Sequence, residues 1–194
     1  MSQRTVILVD GENLVARFEA LVKRGRKPRS GVIHLPGVLV WVPAVLDVNY
    51  IDVSRVSYYQ TVVGDDTKLR ELQKQICEVP AEWSQTEDLR GSGRLIPRLF
   101  KKENRNQKNK SVDINITVDA LRHAHNNSSD VVWLFSGDAD YLPLIEEIMR
   151  SGRQVWLAAF SDGLSPFLPH AVDEFFDLDE YAFENTAATE RGQS

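Results

Sequence analysis

Three segments of this chain each bring a carboxylate to the end of an apolar run or close behind one. Asp10 closes the run Val6 to Val9, Asp138 follows a second apolar run, and Asp113 stands between them in the sequence. Carboxylates that are distant in sequence and meet at strand ends are a common way to build a divalent-metal site. Such an ion polarises a phosphoryl oxygen and generates hydroxide from bound water. The three segments therefore predict phosphodiester hydrolysis that depends on Mg²⁺ or Mn²⁺.

Helix capping is the competing interpretation of these carboxylates. An Asp after a strand usually caps the next helix or forms a turn, and Asp10, Asp138 and Asp140 each fit that role. For any one segment alone, capping is the better interpretation. Asp10 and Asp138 are expected at the same sheet edge, however, with Asp113 near the start of the intervening helix. Because gathered anions repel one another, this arrangement favours a bound cation.

Three further polar side chains are candidates for steadying the ligands. Asp119 lies six residues after Asp113, a rotation of about 240° on a helix, so it joins the site only if Asp113 precedes the regular helix. Otherwise Asp119 supports the ligands from outside or lies on the surface. Asn13 could hold a metal-bound water, steady Asp10 or cap the first helix. Ser136, just before Asp138, is the third candidate.

Positive charge is concentrated in two stretches, residues 23–29 and 101–110. The formal net charge of −5 argues against a protein that coats nucleic acid indiscriminately. The stretches are either solvated loops or guides for phosphate groups, and both flank the carboxylate segments. The candidate phosphate-contacting side chains are Lys23, Arg24, Arg26, Lys27, Lys101, Lys102, Arg105, Lys108 and Lys110.

Length and composition predict one domain. The chain has 194 residues, with 42% hydrophobic and 26% charged side chains, enough for one good core. We expect the domain to span residues 1–183. Residues 185–194 include no large apolar side chain, so we expect residues 184–194 to form a flexible tail. The first apolar run is too short for a signal peptide or a membrane span, so we expect a cytoplasmic protein without membrane contact. Cys77 is the only cysteine, which excludes a disulfide within the chain.

Hydrophobic periodicity predicts alternating strands and helices. Such alternation gives a parallel sheet covered by helices on both faces, with sites at the carboxyl ends of strands. Pro97 predicts an edge position for its strand. The apolar stretch 38–46 is either core or a contact in a homo-oligomer. Strands are predicted at 5–9, 52–62, 94–100, 131–135, 155–160 and, as an edge, 175–178; helices are predicted at 14–23, near 43, and at 67–77, 112–125, 142–149 and 165–170.

Several of these segments resemble the motifs of NYN-domain proteins of the LabA-like group, within the PIN-like nuclease superfamily. The similarity extends roughly from Thr5 to Leu178. It implies an α/β fold, a three-layer α/β/α Rossmann-like (PIN-like) sandwich with a central, mainly parallel sheet of about five strands. It also implies Mg²⁺- or Mn²⁺-dependent cleavage of RNA. The motifs are Val-Asp-Gly-Glu-Asn-Leu at 9–14, Tyr58-Tyr59 with Gly64, Lys-Ser-Val-Asp at 110–113, and Ser-Gly-Asp-Ala-Asp-Tyr at 136–141 with Pro143 and Leu144.

The resemblance also assigns roles to residues. Asp10, Asp113 and Asp138 match the acidic core that binds metal, and Asp140 and Asn13 match its accompanying positions; all five are catalytic candidates by resemblance. The basic side chains named above would then contact RNA. The long basic inserts leave the substrate preference open.

Two functions follow as hypotheses. The first is an endoribonuclease in which the acidic core holds one or two divalent ions. The second is a non-catalytic module that keeps the acidic pocket and binds RNA, a nucleotide or a protein. A haloacid-dehalogenase phosphatase requires Asp where Glu12 stands. A Toprim domain accepts Asp138-Ala139-Asp140 but expects Glu where Asp10 stands, and it leaves Asp113 unexplained.

Overall fold

The structure of the chain is a computed structural model. It describes residues 2–47, 51–86, 89–102 and 110–185. Its strands are β1 (Gln3–Asp10), β2 (Ile33–Leu35), β3 (Leu39–Trp41), β4 (Ile51–Val63), β5 (Pro80–Thr86), β6 (Leu89–Lys102), β7 (Val131–Phe135), β8 (Gln154–Ala159) and β9 (Glu174–Asp177). Its α-helices are α1 (Gly11–Lys23), α2 (Asp66–Cys77), α3 (Ser111–His125), α4 (Leu142–Arg150) and α5 (Leu178–Ala182). Short 3₁₀ helices span Pro43–Leu46, Ala139–Tyr141 and Leu168–His170.

The main sheet has seven strands in the order β5-β6-β4-β1-β7-β8-β9. Neighbouring strands are parallel except β5 and β6, which pair antiparallel, so the sheet is mixed. The α/β class is confirmed, whereas the mainly parallel sheet of about five strands was wrong. The segment of β5 escaped prediction because Pro80-Ala81-Glu82 carries no alternating apolar pattern.

The order of the strands from β6 to β9 brings the three carboxylate segments together. The chain runs outwards from β1 through β4 to β6, then returns through α3 to β7 on the other side of β1. In sheets wound this way, ligands bind outside the carboxyl ends of the strands at the point where the strand order reverses. Here that point lies between β1 and β7. Asp10, at the end of β1, and Ser136, directly after β7, are neighbours at this edge of the sheet.

Helices cover both faces of the sheet. Ile7 and Val9 of β1 belong to a buried cluster that includes side chains of α1 and α5. Val6 and Leu8 belong to a second cluster with side chains of α3 and α4. The continuous apolar run of β1 is therefore explained by burial on both faces, as the sequence predicted.

Strand β6 is not an edge strand, because β5 pairs with it. The antiparallel pairing covers Leu89 to Arg94, and Pro97 lies beyond it, opposite Tyr58 of β4. Proline therefore occupies a part of β6 that has only one strand neighbour, where no ladder hydrogen bond is lost on the open side. The predicted edge position is therefore confirmed for Pro97 and is wrong for β6 as a whole.

Most of the apolar stretch 38–46 is core. It forms β3 and the 3₁₀ helix Pro43–Leu46, and its side chains from Leu39 to Val42 are at most 1% exposed. Trp41 donates from Nε1 to the carbonyl of Pro80 at 3.2 Å. Tyr58 and Tyr59 are also fully buried, so neither offers a free face to a nucleobase.

No helix in the described part of the chain is long and apolar enough to cross a membrane. At the C-terminal end, the backbone N–H of Glu184 donates to the carbonyl of Lys27 at 2.9 Å. The remainder of the predicted tail, residues 186–194, lies outside the described residues.

Candidate active site

Asp10 ends β1 and caps α1. Its Oδ1 accepts a hydrogen bond from the backbone N–H of Asn13 at 3.1 Å. The following Gly11 fits where a larger residue would not, because a Cβ there would lie 2.7 Å from the carbonyl oxygen of Tyr59 and would also overlap the ring of Tyr58. The Asp-Gly pair thus lets the chain turn directly from strand to helix against β4.

Ser136 connects the end of β7 to the end of β1. Its hydroxyl donates to Oδ2 of Asp10 at 3.0 Å and accepts from the backbone N–H of Asp138 at 3.3 Å. Asn13 makes a parallel link, since its Oδ1 accepts from the backbone N–H of Gly137 at 3.1 Å. The N-cap of α1 is therefore Asp10 rather than Asn13, and Asn13 holds the turn after β7.

Tyr141 lies between two of the predicted ligands. Its hydroxyl is 3.5 Å from Oδ2 of Asp10 and 3.4 Å from Oδ1 of Asp113, which stands in the first turn of α3. Burial and the two neighbouring carboxylates raise the pKa of Tyr141, so the hydroxyl stays protonated and can donate to one carboxylate at a time. Tyr141 belongs to the motif at 136–141, and the motif alone predicted no role for its hydroxyl.

Asp10 is buried with little compensation for its charge. The residue is 5% exposed, and burial raises its pKa to about 6, although hydrogen bonds from Asn13 and Ser136 act in the opposite direction. The charges of Asp113 and Glu12 raise it further. A carboxylate in this position carries a charge that the surrounding protein disfavours.

Asp113 is influenced by the other predicted site residues. Burial raises its pKa, the hydrogen bond from Tyr141 lowers it, and the charges of Asp138, Glu12 and Asp140 raise it again. Within the described ranges, no Lys, Arg or His forms an ion pair with Asp10, Asp113, Asp138 or Asp140. The acidic site therefore has an excess of negative charge.

Asp138 also acts as a cap. Its Oδ1 accepts from the backbone N–H of Asp140 at 3.0 Å and begins the 3₁₀ helix Ala139–Tyr141. Both Asp138 and Asp140 are exposed. Among the described residues, no three His, Cys, Asp or Glu side chains form a group that could hold a metal ion. Asp10 and Asp113 each have an oxygen within 3.5 Å of the Tyr141 hydroxyl, and the hard, anionic character of these oxygens suits Mg²⁺ or Mn²⁺.

Asp119 lies apart from the acidic site. It is roughly 9 Å further along α3 than Asp113. Its carboxylate accepts from the hydroxyl of Tyr59 at 2.7 Å and lies 3.9 Å from Arg98 and 3.5 Å from Arg122. The helical geometry that disfavoured Asp119 in the sequence agrees with this placement.

A cleft of about 750 Å³ adjoins the acidic site through Glu12. Glu12 lines this cleft, forms a 2.8 Å ion pair with Lys102 and accepts a hydrogen bond from Thr61. Asp10, Asp113 and Asp138 are not among its lining residues. The cleft thus lies beside the carboxylates rather than over them. The other polar side chains of its lining are Glu19, Gln60 and Lys68.

The first basic stretch is tied to the C-terminal part of the domain. Arg24 lies 2.6 Å from Asp162. Arg26 lies 3.1 Å from Asp179, and its guanidinium stands 4.8 Å from the ring centre of Phe183. Arg24 and Arg26 therefore have partners within the fold, and their contact with RNA stays a prediction. Lys23 and Lys27, from the same stretch, are exposed.

The second basic stretch begins beside the cleft and ends beside the acidic site. Lys101 forms a 2.7 Å ion pair with Asp66, and Lys102 pairs with Glu12. Lys110 is exposed and precedes α3, three residues before Asp113. The predicted contacts of Arg105 and Lys108 lie outside the described residues.

Comparison with known proteins shows a family and a similarity of fold to a solved structure. The NYN domain family model matches residues 4–179. No curated protein matches the sequence. The fold is similar to the crystal structure of a protein of unknown function from Vibrio parahaemolyticus, with a TM-score of 0.59, 17% sequence identity, and coverage of 94% of this chain and 97% of that chain. At this identity the likeness concerns the fold alone.

Proposed function

The chain belongs to the NYN domain family, and on this premise we propose that it is a divalent-metal-dependent ribonuclease that hydrolyses RNA phosphodiester bonds endonucleolytically. NYN domains are typically nucleases, which supports a nuclease or RNA-related function. The motifs at 9–14, 110–113 and 136–141 support the LabA-like group within the family. The helices on both faces of the sheet support the PIN-like sandwich. A cytoplasmic location is part of the same proposal.

The observation that carries the proposal is the position of Tyr141 between Asp10 and Asp113. One hydroxyl reaches oxygens of two carboxylates that come from the end of β1 and the start of α3. The pKa of each carboxyl is raised, and no described cation pairs with either. A protein that gathers such groups without a counter-charge has a site in which a cation would relieve the repulsion.

Asp10 and Asp113 would hold the ion, with Asp138 as the third carboxylate. When bound, Mg²⁺ or Mn²⁺ would supply a polarised phosphoryl oxygen and an acidified water. The chain itself fixes the donors: Ser136 and the backbone of Asn13 orient Asp10, and Tyr141 orients Asp113. Asp140 acts through its charge on Asp113.

The RNA strand would approach through the cleft beside Glu12. Lys102 lines this cleft and lies at the end of β6, while Lys110 stands at the start of α3. Lys102 and Lys110 would offset repulsion between the carboxylates and the phosphates. Exposed Lys23 and Lys27 remain candidates for further contacts.

Incubation of purified protein with single-stranded RNA and Mn²⁺ or Mg²⁺ tests the proposal. We expect cleavage that EDTA abolishes and that Asp113→Asn and Asp138→Asn reduce by about 10²-fold or more, since metal-ligand carboxylates contribute several kcal/mol to such reactions. Asp52→Asn is the matched control, because Asp52 is exposed on β4. Unchanged cleavage by Asp138→Asn would show that the assigned site is wrong.

A non-catalytic RNA- or nucleotide-binding module gives a different result in the same experiment. It would retain RNA in the presence of a divalent ion and leave the strand intact with every ion tested. Product analysis with a 5′-labelled and a 3′-labelled strand distinguishes endonucleolytic from exonucleolytic cleavage. Endonucleolytic cleavage yields labelled fragments of intermediate length with either label. Stepwise loss from one end would contradict the endonucleolytic part of the proposal.

A further inference from the structure

A second polar cavity, of about 230 Å³, lies on the flank of α3 away from the acidic site. It is formed between α3, β4, β6 and the loop that follows α3. We propose that this cavity binds the phosphate group of a nucleotide or of an RNA end. The site uses none of the residues assigned to cleavage. Its lining includes Arg55, Arg98, Asp119, Arg122, His123 and Ser128.

The charges of the cavity favour an anion. Three guanidinium groups, from Arg55, Arg98 and Arg122, face a single carboxylate, that of Asp119. Arg98 and Arg122 lie 3.9 Å and 3.5 Å from Asp119, and each guanidinium carries five N–H donors. Among the described residues Arg55 forms no ion pair. The lining therefore holds more positive than negative charge.

Asp119 is held in place by the fold. Its Oδ2 accepts from the hydroxyl of buried Tyr59 at 2.7 Å, and its side chain is 18% exposed. It can therefore orient Arg98 and Arg122, which come from different elements, towards the same space. Arginine donors arranged in this way match the oxygens of a phosphate group.

His123 adds a further polar side chain to the lining of the cavity. Its Nδ1 lies 2.8 Å from the hydroxyl of Ser128. Burial lowers the pKa of His123, and the charge of Arg55 lowers it further. The imidazole is therefore neutral near pH 7 and can donate or accept one hydrogen bond beside the arginines.

The size of the cavity limits the ligand. A volume of about 230 Å³ is below the range typical of sites for larger ligands, so it suits a phosphate group with part of its sugar. Arg98 also lines a neighbouring cavity of about 260 Å³ that contains Phe100 and Asn115. This second space lies along α3 in the direction of Asp113, and it gives the remainder of a nucleotide or strand a polar and aromatic surface.

Binding is measured in EDTA at low ionic strength, so that the result does not depend on cleavage. Inorganic phosphate and adenosine 5′-monophosphate serve as probes in calorimetry. We expect Arg55→Gln and Arg122→Gln each to weaken binding about tenfold, the effect of losing one charge-assisted hydrogen bond. Arg150→Gln is the matched control, because Arg150 is an exposed arginine on α4 paired only with Glu146 and Glu147 among the described residues.

Asp119→Asn tests whether the negative charge of the cavity opposes phosphate binding. It removes the single negative charge of the cavity, and its amide oxygen can still accept from Tyr59. We expect it to tighten phosphate binding several-fold, an outcome that general destabilisation would not give. Thermal unfolding of each variant verifies that it is folded.

Two RNA strands of one sequence, with a 5′-phosphate or a 5′-hydroxyl, distinguish the source of the phosphate group. A preference for the 5′-phosphate that Arg55→Gln removes identifies an RNA end, whereas binding of the mononucleotide without such a preference identifies a free nucleotide. The inference is overturned if wild-type protein binds no phosphate probe, or if Arg55→Gln and Arg150→Gln have equal effects. Asp138→Asn should leave this phosphate binding unchanged. Failure of the phosphate-binding proposal can therefore be distinguished from failure of the proposed nuclease activity.

Discussion

Ser136, which follows β7, donates a 3.0 Å hydrogen bond from its hydroxyl to Oδ2 of Asp10, the last residue of β1. Both residues are buried, and 126 positions separate them in the sequence. The bond joins two of the three carboxylate segments directly. It stabilises the ionised form of a carboxylate that burial disfavours, so the position of Asp10 depends on β7 as much as on β1.

Ser136→Ala is expected to lower the free energy of unfolding by about 1–3 kcal/mol, because it leaves a buried carboxylate oxygen with one hydrogen-bond donor fewer. The loss should be larger at pH 8 than at pH 5, since the bond favours the ionised form of Asp10. Urea unfolding at both pH values measures it. Ser129→Ala is the matched control: Ser129 is equally buried, and its hydroxyl has no hydrogen-bond partner among the described residues. Equal losses for the two variants would contradict the assigned role of Ser136.

Asp10→Asn should change how stability depends on pH in metal-free protein. The pKa of Asp10 is raised from an ordinary value of 3.8 to about 6 in the folded state. The folded protein therefore binds more protons than the unfolded chain between these values, and stability falls as the pH rises through that window. The variant lacks this loss and should exceed the wild type above pH 6 by up to roughly 3 kcal/mol.

Unfolding of both proteins in EDTA between pH 4 and pH 8 checks this prediction. The wild-type curve should descend more steeply than that of Asp10→Asn between pH 4 and pH 6, and the two should differ by a constant amount above it. The exposed Asp52→Asn should follow the wild type. A constant difference between wild type and Asp10→Asn at every pH would mean that Asp10 has an ordinary pKa.

Gly11→Ala should destabilise the domain by about 1–3 kcal/mol, the usual cost of overpacking. The added Cβ would lie 2.7 Å from the backbone oxygen of Tyr59, which cannot move without disturbing β4. Gly31→Ala is the control, because nothing lies within 4 Å of the corresponding Cβ. Thermal unfolding compares them, and a neutral Gly11→Ala would show that β1 and β4 are less closely packed at this turn.

Arg26→Gln should reduce stability by about 1–3 kcal/mol with no loss of RNA affinity beyond that of its control. The substitution leaves the nearly buried carboxylate of Asp179 without its cation and removes the stacking on Phe183. Lys23→Gln, an exposed cation in the same stretch, should leave stability unchanged. Thermal unfolding and RNA binding by fluorescence anisotropy measure the two effects. Weaker RNA binding by Arg26→Gln than by Lys23→Gln would contradict this expectation and support the predicted contact of Arg26 with RNA.

The carboxylate segments were predictable because their signals are local. An apolar run followed by Asp-Gly at residues 10 and 11 specifies a buried strand and a tight turn, whatever the rest of the chain does. The same reasoning placed β4, β7 and β8 and helices α1 to α4 near their observed bounds. Segments β2, β3, β5 and α5 were not predicted, because they are short or carry no periodic apolar pattern and form where neighbouring segments provide partners.

The basic stretches show the limit of such reasoning. Arg24 and Arg26 have the same composition signal as Lys23 and Lys27, yet the arginines pair with Asp162 and Asp179, carboxylates that reach them only through the fold. A nearby anion lowers the net positive charge that such a cation presents to a ligand. Sequence spacing does not contain this information.

By itself, the sequence determined that Asp10 and Asp138 follow buried strands and that Asp113 lies near the start of a helix, because periodicity and turn chemistry act over a few residues. Only the tertiary structure decided that Tyr141 lies between Asp10 and Asp113 and that Asp119 turns instead to Arg98. These contacts depend on strand order and on how deeply each side chain is buried. Both are properties of the packed chain, and both determine whether a carboxylate is compensated or left with an unbalanced charge.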